Sequence, residues 1–224
     1  MSQQAFLFDL DGTLVDSVYH HVLAWQEALD AAGIRLSVWR IHRKIGMSGG
    51  LLANALLRET GREVSTEEAA RLRTLHADAY ARHLDLVRPL PGAHELLTLL
   101  GDLGVPFAIA TSGYAESALP VIKLLGLGED VPVITRDLVA RAKPDPDLFL
   151  AAAQRLGVDI TDAVVIGDSV WDLLAARRAR ALGIGLLSGG YGEDELQRAG
   201  AYRVYEDPQG MLEHLDEVGV RLHA

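Results

Sequence analysis

Short apolar segments alternate with helical patterns along most of the chain, and this alternation constrains the fold more than any other feature of the sequence. Five segments of strand length end near a polar residue or a glycine, at residues 5–10, 107–111, 131–135, 163–167 and 183–187. Helical spacing of apolar residues occurs at residues 93–103, 115–125, 148–156 and 173–181. Strands that alternate with helices form parallel sheets with helices on both faces. We therefore predict an α/β fold with a Rossmann-like parallel core sheet of five strands.

The alternation is interrupted once, after the first strand. Helical patterns at residues 21–32, 50–59 and 66–83 fill most of the interval, and Pro89 marks the return to the alternating pattern. We predict an α/β core domain over residues 1–16 and 89–224, and an inserted all-α domain over residues 17–88. The alternative is a single larger α/β domain with an irregular crossover.

Composition excludes several classes of protein. The chain has 224 residues, of which 49% are hydrophobic and 23% charged, as is typical of an ordered globular protein. Its formal net charge of −10 argues against nucleic acid or an anionic membrane as a partner. The absence of cysteine excludes disulfides, zinc thiolate sites and thiol catalysis. We expect no targeting segment and no membrane span, and hence a cytoplasmic protein.

Two pairs of aspartates follow predicted strands. Asp9 and Asp11 come after the first strand, and Asp168 and Asp172 after the fourth. Because the carboxyl ends of parallel strands meet at one edge of a sheet, the two pairs should converge. Four converging carboxylates repel one another unless a cation binds them, and Mg²⁺ prefers oxygen ligands. We predict a Mg²⁺ site; the alternatives are a simple turn for the first pair and helix capping for the second.

Polar groups also follow the other strands. Thr111, Ser112 and Gly113 offer hydroxyl and backbone N–H groups after the second strand, although Ser112 could instead cap a helix. Lys143 is one of only three lysines, and Pro144 and Pro146 stiffen the loop that contains it. An isolated lysine is otherwise an ordinary solvated charge.

Taken together, these motifs resemble those of the haloacid dehalogenase-like hydrolase superfamily, in the subgroup that has a helical cap domain after the first motif. Asp-Leu-Asp-Gly-Thr begins at Asp9, a strand ends at Thr111, Lys-Pro-x-Pro-Asp-x-Phe begins at Lys143, and Gly-Asp-x-x-x-Asp ends at Asp172. The motifs occur in the family's order, and the resemblance covers nearly the whole chain.

The resemblance implies a catalytic role for two aspartates and a metal site. Asp9 would attack phosphorus and form an aspartyl-phosphate. Asp11 would protonate the leaving alcohol and then activate water, which leads us to expect a raised pKa for Asp11. Mg²⁺ would be bound by the Asp9 carboxylate, the Asp11 backbone carbonyl and Asp168, with Asp172 completing or orienting the ligand set.

The resemblance also implies a phosphate site. Thr111, Ser112, Gly113 and Lys143 would bind the phosphoryl oxygens, and Lys143 would thereby take part in catalysis. True dehalogenases lack the aspartate at the position of Asp11, so phosphate ester chemistry is favoured. We expect a small phosphorylated metabolite as the partner, such as a sugar phosphate or a phosphoglycolate-like compound, and a chain that is a monomer or a homodimer.

The sequence of the cap helps to distinguish a phosphatase from a sugar phosphomutase. Mutases resembling β-phosphoglucomutase have Gly-x-Ser-Arg where this chain has Gly46-Met47-Ser48-Gly49, and they use a later cap lysine that is absent here. This difference favours a phosphatase over a sugar phosphomutase. A non-catalytic binding protein on the same fold is the remaining alternative.

Several cap residues are candidates for contact with substrate or with Asp11. His21 could position Asp11, Arg43 and Lys44 could bind an acidic or hydroxylated leaving group, and a solvated helix position is the alternative for each. His76, or alternatively Arg73, could occupy the place of the missing lysine, although a neutral histidine is a poor replacement for a fixed charge. Ser48 lies in the glycine-rich loop that could close over the site.

Overall fold

A six-stranded parallel sheet lies at the centre of the computed structural model, which describes residues 4–47, 49–61, 65–128 and 130–220. The strands are β1 (Ala5–Phe8), β2 (Val15–Asp16), β3 (Arg88–Pro89), β4 (Phe107–Ala110), β5 (Val133–Ile134), β6 (Ala163–Gly167), β7 (Leu182–Leu186) and β8 (Ala201–Tyr205). The sheet order is β5-β4-β1-β6-β7-β8, and each neighbouring pair is parallel. Strands β2 and β3 form a separate antiparallel ribbon.

Helices surround the sheet and fill the interval between β2 and β3. They are α1 (Val18–Ala31), α2 (Val38–His42), α3 (Gly49–Glu59), α4 (Thr66–Ala81), α5 (Ala93–Asp102), α6 (Ala115–Ile122), α7 (Asp147–Leu156), α8 (Val170–Ala179), α9 (Glu193–Ala199) and α10 (Pro208–Leu212). None of the described helices combines the length and the apolar composition needed to cross a membrane.

Both faces of the sheet are buried, as the near-continuous apolar runs predict. Successive side chains of a strand point to opposite faces. Phe6 and Phe8 therefore join one apolar cluster, while Leu7, which lies between them, joins another. Each of these three side chains is completely buried. The predicted α/β class is thereby confirmed.

The predicted number of five strands is wrong by one, because β8 was missed. This strand lies at the edge of the sheet, next to β7 alone. Its sequence alternates less clearly than that of a buried strand: Tyr202 and Arg203 are exposed, and Arg203 forms an ion pair with Glu217. A strand at the edge of a sheet is more exposed to solvent and needs no continuous apolar run. The apolar pattern of the sequence therefore does not predict β8.

Helices α1 to α4 form an apolar cluster of their own, which includes Val22, Trp25, Ile41, Leu56 and Leu72. We call residues 17–88 the helical segment. The chain passes from the six-stranded sheet to the helical segment through β2 and returns through β3, and these two strands pair with each other. The two connections to the helical segment therefore lie side by side.

Candidate active site

Three buried carboxylates converge at the carboxyl ends of β1 and β6. Asp9, Asp168 and Asp172 each contribute one oxygen to a cluster in which all three atoms lie within 4.8 Å of one another. Burial and the neighbouring Asp172 raise the pKa of Asp9 to about 7, against the opposing effect of Lys143. Burial, followed by the charges of Asp172 and Asp9, also raises the pKa of Asp168. Three oxygen ligands that are costly to ionise together fit a hard divalent cation such as Mg²⁺.

Lys143 supplies the positive charge nearest to this cluster. Its side chain is completely buried; the Nζ atom contacts the Asp9 carboxylate and lies 2.7 Å from Asp172 Oδ1. Burial opposes the charged form, but Asp172 and Asp9 together raise the pKa of Lys143 above its ordinary value. Lys143 is therefore a permanently protonated ammonium group between two aspartates. The alternative of a solvated lysine is excluded.

Asp172 has two structural partners. While Oδ1 faces Lys143, Oδ2 accepts hydrogen bonds from the backbone N–H of Ser169 at 3.1 Å and from its hydroxyl at 2.5 Å. The bond from the Ser169 backbone N–H is part of a capping box at the N-terminus of α8. Helix capping and membership of the acidic cluster are thus both correct descriptions of Asp172. Its orientation is fixed by the start of the helix.

Asp168 is held by residues that sequence reasoning did not assign to the site. The Thr13 hydroxyl donates to Asp168 Oδ1 at 2.9 Å, and Thr13 is itself completely buried. Gly12 and Gly189 pack against the same carboxylate: a Cβ atom would lie 2.5 Å from Asp168 Oδ2 at Gly12 and 1.8 Å from it at Gly189. Thr13 belongs to the first motif and could have been found there. Gly189 follows β7 without any recognisable motif.

Asp11 lies outside the cluster of three and has a different environment. Its Oδ1 accepts a hydrogen bond from the Ser17 hydroxyl at 2.6 Å and lies 3.2 Å from His21 Nε2. Burial raises the pKa of Asp11, but His21 and Ser17 outweigh it and hold the pKa below its ordinary value. The expectation of a raised pKa for Asp11 is therefore wrong for this structure, because both partners favour the ionised carboxylate.

His21 also connects Asp11 to α4. Its Nδ1 atom lies 3.2 Å from His76 Nε2, and its ring stacks on Tyr80 with 3.8 Å between the ring centroids. The His76 ring stacks in turn on Trp25 at 4.3 Å. Burial, followed by the charge of His21, lowers the pKa of His76 well below its ordinary value, so His76 is neutral at pH 7. The two histidines form one hydrogen-bonded pair beside Asp11.

The predicted phosphate loop follows β4. The Thr111 hydroxyl accepts a hydrogen bond from the Gly113 backbone N–H at 2.9 Å, which holds the turn in shape. In the described part of the chain the buried Ser112 hydroxyl has no hydrogen-bond partner, although it lines a cavity. Helix α6 begins at Ala115, after Tyr114, so Ser112 is not its N-cap. A free hydroxyl here suits an anionic ligand.

The candidate residues of the helical segment separate into two groups. His21 and His76 line the cavity, together with Asp9 and Asp11. Arg43 and Lys44 do not line it: Arg43 pairs with Glu195, and Lys44 Nζ lies 3.0 Å from Glu59 Oε1. Ser48 lies outside the described residues.

The cavity itself has a volume of about 300 Å³ and lies between the sheet edge and the helical segment. Asp9, Asp11 and the Thr111 loop form its polar end, and Trp25, Met47 and Tyr80 contribute to its apolar side. The Asp9 carboxylate and the loop after β4 thus meet at one end of the cavity, with the Lys143 ammonium group in contact with Asp9. Such a set can bind a tetrahedral oxyanion and attack its central atom.

Known proteins resemble this chain in sequence and in fold. A family model described as haloacid dehalogenase-like hydrolase matches residues 3–180. A phosphoglycolate phosphatase from Neisseria meningitidis is 34% identical over 194 residues, which cover 85% of this chain and 82% of the relative. Hexitol phosphatase A from Escherichia coli is 33% identical over 181 residues, with 80% and 81% covered. The crystal structure of a hydrolase from Pseudomonas syringae, 55% identical, has a TM-score of 0.95 and covers 97% of this chain and 100% of that one.

Proposed function

The chain belongs to the haloacid dehalogenase-like hydrolase family and is a phosphatase, and from this premise we propose that it hydrolyses a small phosphorylated metabolite with Mg²⁺ through an aspartyl-phosphate. The substrate is a sugar phosphate or a phosphoglycolate-like compound, in keeping with the names of its relatives. The observation that carries the proposal is the position of Asp9, which lines the cavity, contacts Lys143 and belongs to the acidic cluster.

In the first step, Asp9 forms a bond to phosphorus while the bond from phosphorus to the leaving oxygen breaks. Asp9 and Asp168 would hold Mg²⁺, with Asp172 oriented beside them, and the ion would neutralise charge on the phosphoryl oxygens. Lys143 neutralises the same end of the cavity from within the protein. The Ser112 hydroxyl and the backbone of the Thr111 loop donate to the remaining oxygens.

Asp11 supplies the proton that the leaving oxygen takes up. With His21 and Ser17 beside it, Asp11 has a lowered pKa and is ionised at neutral pH. A bound phosphate beside it disfavours that negative charge, so substrate binding raises the pKa of Asp11, and the carboxylate takes up a proton from the solvent. In the second step Asp11 removes a proton from water, which attacks phosphorus and releases Asp9. His21 holds the Asp11 side chain in position throughout.

Hydrolysis fits this chain better than phosphomutation. A mutase must retain a substrate that has two phosphates, and this requires a fixed positive charge in the cap. The mutases supply it with an arginine and a lysine. Here Arg43 and Lys44 are engaged by Glu195 and Glu59, His76 is neutral, and among the described residues Arg73 is the one unpaired cation of the helical segment that lines the cavity. Rapid isomerisation of β-glucose 1-phosphate in the presence of its bisphosphate and Mg²⁺ would contradict the proposal.

The test of the proposed function is hydrolysis of p-nitrophenyl phosphate with and without Mg²⁺. We expect turnover that requires the metal, and loss of turnover in Asp9→Asn, because an amide is not a nucleophile for phosphorus. Asp145→Asn is the same change of side chain in the motif that begins at Lys143, and it serves as a control because Asp145 pairs with Arg178 in a partly exposed position. Residual activity of Asp9→Asn above about a tenth of wild type would exclude Asp9 as the nucleophile.

A further inference from the structure

One face of α4 borders the cavity. Arg73, His76, Ala77 and Tyr80 all line it, and their spacing of three, four and seven residues places them on one side of a helix. Arg73 is half-buried, whereas Arg71 on the same helix is exposed. The Arg73 side chain therefore belongs to the wall of the cavity.

Arg73 is also available for a ligand. No described residue forms an ion pair with it, in contrast to Arg43, which is bound by Glu195, and Lys44, which is bound by Glu59. Among the described residues that line the cavity, Arg73 is the single one with a fixed positive charge, since Lys143 lies behind Asp9 and does not line it. A half-buried guanidinium without a carboxylate partner is a strong site for an oxyanion.

The two ends of the cavity differ in chemistry. The phosphoryl group is taken up where Asp9, Ser112 and the Thr111 loop meet, and the other wall is formed by the helical segment. Trp25 and Met47 present apolar surface on that wall, which suits the carbon skeleton of a leaving group. Arg73 adds a positive charge to this wall, which also carries Asp78, and an anionic group of the substrate would lie at Arg73.

We propose that Arg73 binds an oxyanion on the leaving group, so that the preferred substrates are phosphate monoesters that have a carboxylate or a second phosphate. This inference rests on the proposed function and specifies its substrate class. The planar guanidinium can donate two parallel hydrogen bonds to either oxyanion, which a neutral polyol cannot accept with the same strength. Arg73 is thus a specificity-determining residue, and the chemistry at phosphorus does not depend on it.

The test compares kcat/KM for four esters: 6-phosphogluconate, which has a carboxylate, fructose 1,6-bisphosphate, which has a second phosphate, glucitol 6-phosphate, which has a neutral leaving group, and p-nitrophenyl phosphate. We expect wild type to prefer at least one of the two anionic esters over glucitol 6-phosphate by about tenfold or more. Arg73→Gln should lower kcat/KM for each preferred anionic ester at least tenfold, and should leave the values for glucitol 6-phosphate and p-nitrophenyl phosphate within about twofold. The anionic ester whose kcat/KM falls in Arg73→Gln shows whether Arg73 binds a carboxylate or a second phosphate.

Two further variants keep the result interpretable. Arg71→Gln, an exposed change on the same helix, should leave all four values unchanged, and Arg73→Lys should retain part of the preference without the bidentate contact. Equal loss on all four esters in Arg73→Gln, or no wild-type preference for either anionic ester, would overturn this inference while p-nitrophenyl phosphate hydrolysis still supports the phosphatase. Wild type that hydrolyses none of the four would overturn the proposed function itself.

Discussion

Lys143 shows how a single residue sets the electrostatics of the site. Its ammonium group is completely buried between Asp9 and Asp172, and no other lysine or arginine contacts these two carboxylates within the described residues. Buried charges are tolerated only when they are paired, and removal of one partner leaves the others uncompensated. Lys143 therefore supports the folded state and the chemistry through the same two contacts.

The Lys143→Met substitution should consequently lower both the activity and the stability of the protein. We expect kcat to fall by a factor of about 100 or more, because a fixed positive charge beside the phosphoryl group is removed. Without metal, the free energy of unfolding should fall by about 3–5 kcal/mol, because two buried aspartates lose their cation. Urea unfolding and p-nitrophenyl phosphate hydrolysis measure the two effects. Lys123→Met, at an exposed lysine, is the control and should change neither; an active Lys143→Met would contradict the assignment.

At the scale of elements, the turn after β7 acts as a support for the acidic cluster. Gly189 packs so closely on Asp168 that a Cβ atom would lie 1.8 Å from Oδ2. The Ser188 hydroxyl of the same turn donates to the Gly12 carbonyl at 2.6 Å, which joins it to the turn after β1. The loops that follow two different strands thus fix one carboxylate between them.

Gly189→Ala tests this support. The added methyl group must displace Asp168 or the turn itself, so we expect weaker Mg²⁺ binding and a fall in kcat/KM of at least tenfold. The effect is steric, since the backbone of Gly189 is not in the left-handed region. Gly101→Ala in α5 is the matched control, because nothing lies within 4 Å of its added Cβ. Isothermal titration with Mg²⁺ provides the measurement, and unchanged affinity would show that Asp168 does not depend on this contact.

The elements also show which features a sequence can reveal. Strands buried on both faces, such as β1 and β6, stand out as apolar runs, whereas the edge strand β8 does not. Asp9, Asp168 and Lys143 were predicted because each lies in a local motif beside a strand end. The partners of these residues come from distant parts of the chain: Thr13 and Asp168 are 155 residues apart. Contacts of this kind depend on the packed fold, and no local pattern encodes them.

At the scale of the whole molecule, the helical segment is held against the sheet side by a set of contacts far from β2 and β3. His42 Nε2 lies 2.8 Å from the Gly189 carbonyl, and the Tyr191 hydroxyl donates to the Arg43 carbonyl at 3.1 Å. The Arg43 guanidinium stacks over the Tyr191 ring at 4.2 Å and pairs with Glu195. The same turn that supports Asp168 therefore also contacts the helical segment.

The Arg43–Glu195 pair is the polar part of this contact, and Glu195→Gln should weaken it. Both side chains are partly exposed, so the loss of stability should stay below about 1 kcal/mol. The helical segment should separate from the turn more often, and entry and release through such lids set many turnover rates. We expect a KM at least twofold higher and faster hydrogen exchange of amides in residues 41–45 and 187–192, measured by mass spectrometry. Glu193→Gln in the same helix is the control, and identical exchange in both variants would show that the pair does not hold the segment closed.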